Sequence, residues 1–347
     1  MITYALLLNP GHNRVYYKSS QELSLVEFSI IAQSLGCEPS DIKGEEIAGV
    51  FYLTFNAKQT LSHTDLEKIA RLSFVFALFA KEGDMLRPIL IPQANIVDAN
   101  LGSLLKYTGK TNELFTRMMI NVALASCAFP EPERVKLLDP IAGKGTTLFE
   151  GLTMGFDCYG VEIMEKSANE SYHHLKKFLE LDRTKHKPNI IKQNSPQKEN
   201  CSKHFVIDLA QDKDSFKNNT QQHWEMIVGN SQYTDRFLKK ESVHIMVGDL
   251  PYGVQHGNVA GKKQQSSSLT RSPKELVKSC IPAWKKALKP GGTLVLSWNS
   301  NVFPKSQFAE ILTQAGMEVL TDGSYNKFEH RVDSSIMRDI IVARKPL

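Results

Sequence analysis

Val135 to Ile163 reads VKLLDPIAGKGTTLFEGLTMGFDCYGVEI: an apolar strand, a glycine turn, a helix and a second strand in one unbroken run. The strand VKLL stops at Asp139-Pro140, and Gly143 and Gly145 permit a tight turn with positive φ and close approach of a ligand to the backbone. The helix beginning near Thr146 then offers free N–H donors at its start. A strand, turn, helix and strand at this spacing form one unit of a doubly wound parallel sheet. Glu162 ends the second strand, where an acid can take both hydroxyls of a ribose. The plain alternatives are a glycine turn needed only for its geometry and a solvated acid at a strand end. The turn is not the dinucleotide fingerprint GxGxxG, because Leu148 stands where the third glycine would be. It is not a phosphate-binding P-loop either, since the Gly-Lys-Ser/Thr triplet is absent.

The alternation continues downstream. EKSANESYHHLKKFLEL (165–181) predicts a helix, followed by strands WEMIVGN (224–230), VHIMVGDLPYG (243–253) and TLVLSWN (293–299), with a helix over about 272–288 between the last two. A helix at 304–315 and strands near 317–322 and 336–344 close the chain, so the expected sheet is seven-stranded and mostly parallel. From 183 to 222 the composition shifts to Lys, Asn, Gln and Asp around one apolar island, HFVIDLA, and reads as a polar, partly disordered insertion. Asn230-Ser231 follows a core strand, where Asn230 either hydrogen-bonds an adenine edge or makes an Asx turn.

GDLPYG (248–253) ends the next strand, at the crevice that Asp139 and Glu162 also face. A carboxylate at Asp249, with nearby backbone carbonyls, can accept the hydrogens of an exocyclic amine and aim its lone pair at an electrophile. Tyr252 can stack on a base, Pro251 stiffens the turn and Gly253 allows close approach. Beyond it, Lys262, Lys263, Arg271 and Lys274 lie in a Gly/Ser/Gln-rich stretch that either contacts phosphates or is merely solvated.

Upstream, ITYALLL (2–8), a helix over 21–35, IAGVFYLTF (47–55), a helix near 62–72 and SFVFALFA (73–80) give the order β-α-β-α-β, a small α+β module of the ferredoxin-like sort. Residues 83–105 lose any clear period and read as a linker. The division is therefore 1–105 for a module with a candidate RNA-binding role and 106–347 for the catalytic domain. The formal charge of +5, from 42 basic and 37 acidic residues, tolerates an anionic partner without requiring one. Cys37, Cys127, Cys158, Cys201 and Cys280 stand singly, which fits a reducing cytoplasm and argues against a disulfide framework or zinc site. His173 and His174 have no ligand partner at metal-binding spacing, and neither a leader nor a membrane span is expected.

DPIAGKGTTLFEGLTMGFDCYGVEI resembles the S-adenosylmethionine motif of class I methyltransferases, and DLPYG resembles their (D/N)PPY amino-methylation motif. With the lead-in KYTGKTNELFTRMMINVALA (106–125), the chain is most similar to the THUMP-associated tRNA guanine-N2 methyltransferases. The resemblance implies a Rossmann-like class I domain behind a ferredoxin-like module, with S-adenosyl-L-methionine as cofactor and RNA, specifically tRNA, as partner. It places Asp139, Gly143 and Gly145 at the methionine part of the cofactor, Glu162 at the ribose and Asn230 at the adenine. Asp249, Pro251 and Tyr252 would handle the target base. Leu250 departs from the motif's first proline, and the stretch before the catalytic domain is short for both a ferredoxin-like module and a complete THUMP domain. A DNA adenine-N6 or cytosine-N4 methyltransferase, or an RNA-binding protein that keeps the fold without catalysis, are the other readings.

Overall fold

The computed structural model describes residues 1–9, 14–92, 97–105, 110–194, 202–252 and 272–347. Two sheets organise them. The first comprises β1 (Ile2–Leu8), β2 (Ser40–Ile47), β3 (Val50–Ala57), β4 (Val75–Glu82) and β5 (Met85–Ile89), with helices α1 (Arg14–Ile31) and α2 (His63–Ala70). All pairings are antiparallel, in the order β2-β3-β1-β4-β5. Phe28, Leu53, Phe55, Ile69 and Leu78 build its core. The strand β2, SDIKGEEI, is absent from the order expected from sequence. Its residues are largely exposed and charged, so it carries little of the alternation that marks a half-buried strand. The edge strand β5 occupies part of the expected linker.

The second sheet follows α3 (Leu101–Leu104) and α4 (Glu113–Ala125). In chain order it runs β6 (Lys136–Asp139), α5 (Thr146–Thr153), β7 (Asp157–Glu162), α6 (Glu165–Leu181), β8 (Lys185–Gln193), β9 (Ser202–Ala210), α7 (Lys213–Lys217), β10 (Gln222–Val228), α8 (Thr234–Phe237) and β11 (Val243–Asp249). It ends with α9 (Pro273–Ala287), β12 (Leu288–Asn299), α10 (Lys305–Gln314), β13 (Glu318–Leu320), β14 (His330–Arg331) and β15 (Met337–Arg344). The order is β13-β15-β12-β11-β6-β7-β10-β9-β8, with β14 paired to β15. The five strands β12-β11-β6-β7-β10 are parallel and the flanking ones antiparallel. The Rossmann-like α/β core is thus present, but in a ten-stranded mixed sheet rather than a mostly parallel one of seven. The chain reverses direction of sheet growth at β6, so a crevice opens beyond the carboxyl ends of β6, β7, β10 and β11.

The stretch expected to be a polar, partly disordered insertion holds the hairpin partners β8 and β9, which extend the sheet beyond β10. Composition hid it because β8 is an exposed, lysine-bearing edge strand, a usual device against edge-to-edge pairing. Across β9 and β10 runs a hydrogen-bonded chain. Ser202 meets His204 Nε2 at 2.7 Å, and His204 Nδ1 meets Glu225 at 2.5 Å. His223 bridges Glu225 at 3.1 Å and Asp208 at 2.7 Å. Burial alone would lower the His223 pKa, but hydrogen bonds and charge from Asp208 and Glu225 outweigh it and raise it to about 9 from the ordinary 6.5. The stabilisation is therefore complete below pH 6.5 and lost as pH rises through about 9. We expect the unfolding free energy from denaturant titrations between pH 6 and 10 to fall by about 2 kcal/mol in the wild type, and by little in His223→Gln. A flat wild-type profile would contradict the assignment.

Helix α4 joins the two sheets. Leu23, Val26 and Ile30 of α1 share a core cluster with Phe115, Met118, Met119 and Val122. Glu27, fully buried, accepts from Asn121 Nδ2 at 2.7 Å and Ser73 N at 3.0 Å. Burial raises its pKa to about 7 against those bonds. Among the described residues, no helix is long and apolar enough to cross a membrane.

Candidate active site

The glycine turn is built as the sequence suggests. Gly143 and Gly145 have φ of 54° and 85°, and Gly145 caps α5 from the left-handed region. Nothing lies within 4 Å of the position a Gly143 Cβ would take, whereas a Gly145 Cβ would sit 2.6 Å from Ser171 Oγ. Gly143 is therefore open toward the crevice and Gly145 is closed against α6.

Glu162 is tied to this turn directly. Its Oε2 accepts from Gly143 N at 2.8 Å and its Oε1 from Met164 N at 2.7 Å. Each carboxylate oxygen keeps a further acceptor position. Burial raises its pKa against those bonds. Asp139, at the end of β6, is 4% exposed. Burial raises its pKa to about 7, aided by the charges of Asp249 and Glu162 and opposed by hydrogen bonds from Thr147 and from Ile141 N, at 3.0 Å. Three carboxylates thus converge on one crevice, and the charges of Asp249 and Glu162 add to the burial that raises Asp139, an arrangement that suits a cationic ligand.

Asn230 follows β10 and accepts from Gln232 N at 3.0 Å, an Asx turn that leaves its amide NH₂ for other contacts. Its neighbour Ser231 locks the loop: its hydroxyl donates to Pro140 O and accepts from Trp284 Nε1 at 2.9 Å. Ser231, which the sequence marks only as the partner of Asn230 in a crevice-facing pair, thus has both hydroxyl positions taken by the protein.

Asp249 ends β11, next to β6 and β12. Ser297 Oγ donates to its Oδ1 and Thr111 Oγ1 to its Oδ2, and the Tyr252 hydroxyl reaches both oxygens, at 3.0 and 2.9 Å. Sequence reasoning did not single out Thr111 and Ser297, because a hydroxyl before a helix or in a buried strand is ordinary. The Tyr252 ring, expected to offer a free stacking face, has the Arg338 guanidinium 5.3 Å from its centroid. Burial pushes the Tyr252 phenol upward, assisted by the Asp249 charge and opposed by Arg338. Pro251 is exposed. Leu250 is 2% exposed and its N donates to Ser297 O at 2.9 Å. A proline there would lack that donor, so the departure from the motif continues the β11–β12 ladder by one bond. Lys274 is half-buried at the start of α9 and donates to Gln307 at 3.1 Å. Gly253, Lys262, Lys263 and Arg271 lie outside the described residues.

Residues 117–315 match the family model described as RMKL-like, methyltransferase domain. The match spans more than half of the chain, and the chain belongs to this methyltransferase family. Its methyl donor is S-adenosyl-L-methionine. Similar solved structures include an rRNA methylase from Streptococcus thermophilus, 10% identical over 70% of this chain and 100% of the other, with a TM-score of 0.34. A S-adenosylmethionine-dependent methyltransferase from Methanosarcina mazei is 13% identical over 62% and 94% of the two chains, with a TM-score of 0.37. A TehB-like S-adenosylmethionine-dependent methyltransferase from Corynebacterium glutamicum is 14% identical over 62% and 82%, with a TM-score of 0.33. Likenesses at these scores carry no argument; the fold rests on the strand order and the family on the matched residues. No curated protein matches the chain.

Proposed function

We propose that the chain transfers a methyl group from S-adenosyl-L-methionine to an exocyclic amino group of a nucleobase in RNA, specifically N2 of guanosine in tRNA. The observation that carries this reading is Asp249: a carboxylate at the end of β11, fixed by Thr111, Ser297 and Tyr252, beside the glycine turn and Glu162. Asp139, Gly143 and Gly145 would hold the methionine part of the cofactor, Glu162 its ribose and Asn230 its adenine. The carboxylates around the turn fit a ligand bearing a sulfonium and an ammonium. When bound, the cofactor supplies a methyl on sulfur whose C–S bond breaks toward the attacking nitrogen, the electron pair staying on sulfur.

Asp249 does the protein's share. Its carboxylate accepts an amine hydrogen, orients the nitrogen lone pair in line, and passes the proton released on transfer to water. The Leu250 carbonyl, retained despite the lost proline, and Pro251 shape the turn, while Tyr252 exchanges its bond to Asp249 for stacking on the base. The N-terminal module has the β-α-β-β-α-β order of ferredoxin-like folds with one added edge strand, and we assign it to RNA docking. Incubating the protein with methyl-labelled S-adenosylmethionine and either total tRNA or genomic DNA tests the polymer. Label in tRNA supports the reading, label in DNA alone transfers the assignment to a DNA amino-methyltransferase, and label in neither despite cofactor binding removes both.

A further inference from the structure

Arg338 is the second residue of β15, opposite Asn299 of β12 and His330 of β14. It is only 6% exposed, and its Nε has no hydrogen-bond partner. The guanidinium lies between two rings, 4.5 Å from the Phe115 centroid and 5.3 Å from that of Tyr252. Among the described residues no ion pair involves it, and the adjacent Asp339 is taken by Lys305 at 3.3 Å. His330, 9% exposed, also contacts Phe115, with ring centroids 5.3 Å apart. Burial holds its pKa below the ordinary value, and its Nδ1 is 2.9 Å from Phe328 O, so Nδ1 carries the proton. Its Nε2 is then a lone-pair acceptor, and it too has no partner. The Arg338 guanidinium also hydrogen-bonds the Tyr252 hydroxyl that reaches Asp249, but its Nε and the His330 Nε2 are a buried donor and a buried acceptor left unsatisfied behind that tyrosine, a costly arrangement unless something uses it.

Their place in the sheet says what that is. β15 lies two strands from β11, roughly 10 Å, on the side away from β6, β7 and β10. The cofactor's crevice is on the other side of Asp249, which leaves the target base. We propose that Arg338 and His330 read the Watson–Crick edge of that base, and that Tyr252 covers them until the base displaces its hydroxyl from Asp249. This rests on the function proposed above and explains its choice of guanine. Guanine presents an amine for Asp249, an N1–H for the His330 acceptor and an O6 for the Arg338 donor. Adenine offers a lone pair at N1 and no O6, so both protein groups would be left unpaired. A site built around buried hydrogen-bonding groups rejects such a mismatch far more strongly than an apolar pocket does.

The test uses an RNA that takes label at an identified guanosine, and the same RNA with 2,6-diaminopurine riboside at that position. The analogue keeps the 2-amino group but replaces O6 by an amine and removes the N1 hydrogen. Wild-type kcat/KM is expected to fall about 10- to 100-fold on the analogue. Arg338→Met should lose a similar factor on guanosine and narrow the ratio between the two RNAs by at least about threefold, the remainder being the His330 contact; Arg338→Lys, which keeps the charge but not the planar fork, should behave the same way. An equal wild-type rate on both RNAs would overturn the inference without any variant. So would an unchanged ratio in Arg338→Met, which would make Arg338 a phosphate contact or a structural residue. Absence of label in the unmodified RNA instead removes the function itself, and this inference with it.

Discussion

Asp249→Ala is expected to lower methyl transfer by about 10²- to 10³-fold while changing affinity for S-adenosylhomocysteine by less than about threefold. In the proposed reaction the Asp249 carboxylate accepts from the amine, and its removal would leave the nitrogen unaligned in the crevice. Thr111, Ser297 and Tyr252 all direct hydroxyls at it, so truncation also strips three donors of their acceptor. That costs about 1–3 kcal/mol of stability. Asp249→Asn separates the two effects, because it keeps the volume and one acceptor oxygen: it should melt close to the wild type and still transfer slowly. Calorimetric titration of S-adenosylhomocysteine alongside single-turnover kinetics checks the pair. Equal collapse of binding and transfer would make Asp249 a cofactor or structural residue.

The two glycines of the turn should fail in opposite ways when changed to alanine. At Gly145 an added methyl would meet Ser171 Oγ at 2.6 Å and Met226 Cε at 3.4 Å, in a backbone with φ of 85°. The left-handed conformation and the crowding together predict a loss of about 2–4 kcal/mol in unfolding free energy. At Gly143 the same methyl meets nothing within 4 Å and only the φ of 54° opposes it, about 1 kcal/mol. Its methyl would instead point into the space assigned to the cofactor. Denaturant unfolding without cofactor should therefore single out Gly145→Ala, and S-adenosylmethionine titration should single out Gly143→Ala. If Gly143→Ala bound the cofactor as the wild type does, the crevice beside the turn would not be its site.

The parallel core was legible because its strands are short, apolar on both faces and separated by glycine turns and amphipathic helices. VHIMVGD, buried along nearly its whole length, is the plainest case. Strands β2 and β8 were not legible, since each is an exposed strand whose charges answer to solvent and edge protection rather than to a core. Asp139, Gly143, Gly145, Glu162 and Asp249 stand out in the sequence because acids at the ends of apolar strands and glycines in the turn that follows one are places a ligand can reach, and the fold gathers them at one crevice. Thr111, Ser297, His330 and Arg338 do not, because what surrounds each is set by neighbours that the sheet brings close. Thr111 and Asp249 are 138 residues apart in sequence. Tyr252 shows how little a sequence says about the state of a side chain. Its aromatic ring suits stacking, but in this structure its hydroxyl occupies the carboxylate that the amine would use.

The most direct measurement is mass identification of the nucleoside formed when the protein acts on tRNA with S-adenosylmethionine carrying a CD₃ methyl group. The arrangement of Asp249 beside the glycine turn predicts deuterated N2-methylguanosine, absent with Asp249→Ala. A deuterated methyl on a ribose oxygen or a ring carbon, or N2-methylguanosine that persists at the wild-type rate in Asp249→Ala, would contradict it.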